Sequence, residues 1–186
     1  MEMMTPGFLE RSRYYLAHEY PAKLQLALHE LPAAAIWNRE HETSNSIGNL
    51  VVHLGGNVSE WIISGLGGVP VKRNRASEFD RREGPAAEEL LGELNAVVSD
   101  ADAILAQLTE SDLHRVVTIQ GRETTGLAAI YHVVEHFAMH TGQIILLAKM
   151  HAPGKIRFYD DAGGRAIPRW GGDEGITAAV DDTHQG

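Results

Sequence analysis

The sequence predicts an all-α protein, a four-helix bundle with a long crossover loop and an irregular C-terminal tail, and three observations carry that reading. Apolar residues recur at helical spacing in four separate stretches, bounded by residues that cap or break helices. The only β-rich stretch is too short for a sheet. The fourth helical stretch, Thr125 to Met150, carries His132, His136 and His140 one turn apart, and bundle interiors are common places for sites built from facing helices.

The first helix opens at Thr5-Pro6, an N-cap followed by proline at the first helical position. Phe8, Tyr15, Leu16, Tyr20, Leu24, Ala27, Leu28 and Leu31 then keep helical spacing up to Pro32. Pro21 removes a backbone donor inside this run, so a kink is expected near Ala17. Residues 33–43 read as a linker. Ser44 or Asn45 can cap a second helix from about Ser46 to Ile63, on which His53, Asn57 and Glu60 share one face. Gly55 and Gly56 cost that helix roughly 1 kcal/mol each relative to alanine, which points to close approach of another helix.

Residues 65–84 have no period and are rich in glycine and charge, as expected of a long surface connection. They do not supply the lysine and hydroxyl pattern of a phosphate loop. A third helix starts at Pro85, with Glu88 and Glu89 complementing its dipole and Leu90, Leu91, Leu94, Val97, Val98, Ala101, Ile104, Leu105 and Leu108 on its apolar face. Val116, Val117 and Ile119 suit a short extended segment, but one strand makes no sheet. The fourth helix has apolar residues on most sides, and such a helix is expected to be packed on most sides. The chain divides into a bundle, 1–153, and a Gly-rich tail, 154–186, docked by Phe158, Tyr159 and Trp170 and disordered near 181–186.

Composition narrows the chemistry. The 44% hydrophobic and 22% charged content suits a soluble globular chain, no stretch is apolar for long enough to span a membrane, and no secretory signal opens the sequence, so the expected location is cytoplasmic. A net charge of -9 argues against a nucleic-acid surface. With no cysteine, a metal site must use histidine, carboxylate or water.

Eight residues separate His132 from His140 by about 12 Å, so one ion can take an adjacent pair but not all three. The pair His136 and His140 needs a third ligand, and His53 supplies it if the second and fourth helices face each other. The alternative is a set of core histidines satisfied by carbonyls or carboxylates, the better reading for any lone histidine. Two at one-turn spacing with a third available favour metal. His132 is then an orienting or a core histidine; Asn57, one turn from His53, either orients a ligand or belongs to an exposed polar face, and Gln143 is open in the same way. A competing pattern, His132-Val133-Val134-Glu135-His136, fits the H-x-x-E-H protease signature with Glu135 as general base, but five-residue patterns recur by chance.

The segments SNSIGNLVVHLGGNVSEWI and YHVVEHFAMHTGQIILL together resemble the DinB/YfiT-like superfamily, and FLERSRYYLAHEY and FYD extend the similarity to about Asp160. The resemblance implies a divalent metal held by His53, His136 and His140, with zinc or nickel expected. It also implies a metal-dependent enzyme, with S-transfer using a low-molecular-weight thiol as its reaction; an open metal position that turns water into a nucleophile would give a hydrolase instead, and a non-catalytic metal-binding bundle is the third reading. Apolar surface on the fourth helix makes a homodimer the expected assembly.

Overall fold

The computed structural model describes residues 4–171, and the disorder expected near 181–186 lies outside them. The first bundle arm comprises α1 (Met4–Tyr14), a π-helical turn (Tyr15–Glu19) and α2 (Tyr20–His29). The π turn sits immediately before Pro21: the Tyr20 N–H reaches back five residues to the Tyr15 carbonyl, and the wider turn absorbs the proline without breaking the helix. The kink expected near Ala17 is this turn. A short helix, α3 (Ala33–Trp37), occupies part of the expected linker.

The second arm is α4 (Ile47–Val58), extended by a second π-helical turn (Ser59–Ser64). Its cap is Ser46, one or two residues beyond the candidates read from sequence, in a reciprocal box with Asn49. The connection of residues 65–84 contains α5 (Arg75–Asp80), which its lack of periodicity concealed. The third arm is α6 (Ala87–Leu105), followed by α7 (Glu110–His114). The fourth is α8 (Gly126–His151), capped by Thr125.

Two hairpins interrupt the helical pattern. β1 (Val116–Ile119) pairs antiparallel with β2 (Arg122–Thr125), so the extended segment has a partner after all. Its two-residue turn, Gln120-Gly121, has φ of 52° and 73°, the mirror-image geometry that matches strand twist. The partner strand RETT was overlooked because it is polar and half-exposed, with none of the expected β-branched alternation. In the tail, β3 (Tyr159–Ala162) pairs with β4 (Arg165–Pro168). Phe158 is buried beneath this hairpin and Trp170 donates to Glu19 at 2.9 Å.

Both α2 and α4 pack against α6 and α8, a square cross-section in which α4 and α8 are neighbours. Leu24, Leu28, Leu54, Leu90, Leu105, Ile130, Phe137 and Ile144 fill its centre. The connection between α4 and α6 therefore joins adjacent helices, and its length carries side chains to the site rather than across the bundle. The expectation that α8 is packed on most sides is corrected. Leu127, Tyr131, Met139, Leu146 and Met150 lie exposed on a face they share with Glu135, Gly142 and Lys149, with Tyr131 62% and Leu146 61% accessible. Apolar composition alone does not distinguish a covered helix from one that leaves such a face open. Among the described residues, no helix is long and apolar enough to cross a membrane.

Candidate metal centre

The facing of α4 and α8 brings His53, His136 and His140 together, with ligating nitrogens all within 4.8 Å of one another, a spacing compatible with a metal site. His53 and His140 are 4% and 9% exposed. The Nε2 atoms of His53 and His136 lie 3.1 Å apart. Two nitrogens on one tetrahedral ion with bonds of about 2.0–2.1 Å would be roughly 3.3 Å apart. The donor set therefore fits a divalent cation.

The ring orientations are set from outside the cluster. His140 Nδ1 is 2.8 Å from Gln143 Oε1, so Nδ1–H donates to the amide and Nε2 is left bare. His53 Nδ1 is 2.7 Å from Glu78 Oε2, and the same argument leaves its Nε2 bare. Arg73 grips Glu78 through Nε at 2.6 Å and Nη2 at 3.0 Å. The 3.2 Å approach of Nη2 to His53 Nδ1 follows from sharing that carboxylate, because both nitrogens are donors. His136 has no such support: its Nδ1 is buried without a hydrogen-bond partner.

These surroundings shift the protonation equilibria. Burial, then the neighbouring histidines and Arg73, lowers the pKa of His136 to about 3. Burial also lowers His140, with Gln143 acting in the opposite direction. For Glu78, burial alone would raise the pKa, but hydrogen bonds from His53 and Arg73 together outweigh it and hold the carboxylate below its ordinary range. Neutral imidazoles and an ionised neighbour are the protonation states metal binding requires.

The remaining candidates are dispersed. His132 lies outside the three-histidine cluster, its ring tilted against Trp61 at 4.2 Å between centroids and 5.5 Å from the His136 ring. Glu135 is exposed. Asn57 is buried with its Oδ1 unpartnered, while Glu60 approaches Arg73 at 3.6 Å. Gly56 does not serve helix approach as expected: a Cβ there would overlap the Glu78 carboxylate and lie 2.8 Å from Arg73 Nε. Sequence reasoning missed Glu78 and Arg73, and the one available signal was that helix-breaking glycine facing an aperiodic charged segment. A separate cavity of about 710 Å³, lined by Tyr14, His18, Glu19, Asp102 and Trp170, is remote from this chemistry, and both its carboxylates are already paired.

A bundle of this architecture with three inward histidines defines the class. The fold matches a DinB-like protein, YjoA, from Bacillus subtilis, with a TM-score of 0.58 at 22% identity over 81% of this chain and 98% of that one. It also matches a conserved protein from Enterococcus faecalis, with a TM-score of 0.60 at 14% identity over 81% of this chain and 96% of the other. The fold is therefore a helical bundle like that of these proteins. Residues 6–159 match the family described as "Protein of unknown function (DUF1572)", and the chain belongs to that family. No curated protein matches it.

Proposed function

We propose that the protein is a metal-dependent enzyme acting on a small molecule, with one divalent ion, zinc or nickel, held by Nε2 of His53, His136 and His140. The observation that carries this reading is the convergence of three imidazoles from two helices, with Nε2 of His53 and of His140 left free by hydrogen bonds at Nδ1. Three protein ligands characterise catalytic zinc sites, which keep a position open, whereas structural sites close with four. An ion bound there would supply a Lewis acid able to acidify a coordinated thiol or water.

The protein's own contribution is orientation and proton transfer. His132 is half-buried and its pKa is lowered by burial, so it is neutral at pH 7 and able to accept a proton beside His136. Glu135 is exposed and Glu60 faces Arg73, so neither competes well for that role. Thiol S-transfer is the preferred reaction class, on the strength of the superfamily resemblance, with hydrolysis as its rival. The exposed stripe on α8 is the face on which we place a homodimer.

The test is metal content of purified protein reconstituted with zinc or nickel, followed by assay with low-molecular-weight thiol acceptors and with esters and amides. One ion per chain, lost in His53→Ala, His136→Ala and His140→Ala and retained in His132→Ala, is the expected result. Activity against thiol acceptors that His132→Ala abolishes without metal loss would establish S-transfer. Absence of a stoichiometric ion after reconstitution would end the metalloenzyme reading.

A further inference from the structure

We infer that Glu78, gripped by Arg73, is the positioning residue of the centre: it fixes His53 in the Nδ1–H tautomer and in the ring orientation that presents Nε2 to the ion. The inference rests on the metal reading above but goes beyond its ligands. It assigns a role to the connection between α4 and α6.

The connection is fastened at several points that converge on His53. Asn49, on the first turn of α4, donates through Nδ2 to the Glu78 carbonyl at 2.8 Å and to the Arg81 carbonyl at 2.9 Å. Arg39 braces the same place, donating to Asn49 Oδ1 at 2.6 Å and to the Arg81 carbonyl at 3.1 Å. The backbone of α5 is thereby held against α4, with Glu78 on the Nδ1 edge of His53 and the Phe79 ring 4.6 Å from the imidazole centroid. The carboxylate, only 6% exposed, would be costly to bury without its two partners. An imidazole whose Nδ1–H is committed to a carboxylate has only Nε2 to offer, and such partners commonly set metal affinity by one to two orders of magnitude.

Gly56 completes the device. Absence of a side chain there gives the Glu78 carboxylate and the Arg73 guanidinium the space they occupy. A methyl group at this position must displace them, while alanine for glycine inside a helix favours the helix itself. The helix gain offsets part of the cost of displacing the buried pair.

The experiment measures zinc affinity by competition with a chromophoric chelator, and the tautomer of His53 by long-range proton–nitrogen NMR on the metal-free protein. The proteins are wild type, Glu78→Gln, Glu78→Ala and Gly56→Ala, each with its thermal midpoint. Glu78→Ala is expected to weaken zinc binding about 10- to 100-fold and to give a mixture of His53 tautomers where wild type shows Nδ1–H. Glu78→Gln, which keeps an acceptor oxygen, should lose less than Glu78→Ala. Gly56→Ala should lose affinity and tautomeric purity while keeping a cooperative thermal transition, its midpoint set by the helix gain against the cost of displacing the buried pair. Zinc affinity within twofold of wild type in Glu78→Ala and Gly56→Ala, or a His53 ring carrying Nε2–H in wild type, would overturn the inference. Failure of wild type itself to bind zinc would instead remove the metal reading, and the tautomer result would still decide whether Glu78 orients His53.

Discussion

The two walls of the centre are built differently. On the α4 side, His53 is nearly enclosed and held by Glu78, Arg73 and Phe79, all delivered by a separate segment of chain. On the α8 side, His136 and His140 are placed by helical spacing, with only Gln143 in support and the Nδ1 of His136 unpartnered. One histidine is fixed by tertiary contacts and two by the geometry of a single helix. The first should be lost when the connection is disturbed, and the others only when α8 itself is.

The largest expected effect removes the distinction. Alanine at His53, His136 or His140 should each lower zinc affinity by at least about 100-fold, because two imidazoles make a poor site. A wall that could be deleted without loss would break the comparison.

Acid should strike next. His136 has a folded pKa of about 3 against an ordinary value of 6.5, so the unfolded chain takes up a proton there that the folded chain refuses. Stability should therefore fall as pH drops below 6.5 and continue falling toward 3. Glu78 adds to this at the lower end, since its depressed pKa contributes stability present above the unfolded carboxylate value and lost as pH falls through the folded one. The thermal midpoint of metal-free protein should drop by roughly 5–10 °C between pH 7 and pH 4.5. His136→Gln should flatten most of that slope.

A smaller effect sharpens the contrast between the walls. Gln143→Ala should weaken zinc binding only about three- to tenfold, less than Glu78→Ala, because an exposed neutral amide orients its histidine more weakly than a buried, braced carboxylate. Reversal of that order in chelator competition would mean that helix spacing needs more help than the tertiary lock provides. Smallest of all should be Glu135→Gln. Its exposed side chain predicts zinc affinity within twofold of wild type, and a larger loss would revive the H-x-x-E-H pattern.

The same contrast explains what could be read from the chain alone. His136 and His140 are legible because a helix turns a spacing of four into proximity, and His53 because it shares one face of a second apolar helix with Asn57 and Glu60. Glu78 and Arg73 are not legible, since α5 is too short to show a period, Arg73 lies in the aperiodic stretch before it, and their contacts with His53 span 25 and 20 residues. The β1–β2 hairpin escaped for a similar reason, its second strand having too polar a composition to stand out. The exposed stripe of α8 was hidden by a different ambiguity: sequence shows that a face is apolar, and only packing shows whether the same chain covers it.

Glu19 bears on the order in which the molecule is made. This carboxylate, on the π-helical turn of the first arm, accepts from Tyr14, from Lys23 and, across 151 residues, from the indole of Trp170. During synthesis the first arm emerges long before its last donor, so the arm must wait with an incompletely paired acid on the surface it will bury. Contacts of such long sequence separation are slow to close. The final fastening of this bundle is therefore a C-terminal event, and chains stopped short of Trp170 should linger in a looser, protease-sensitive state even though every bundle helix is complete.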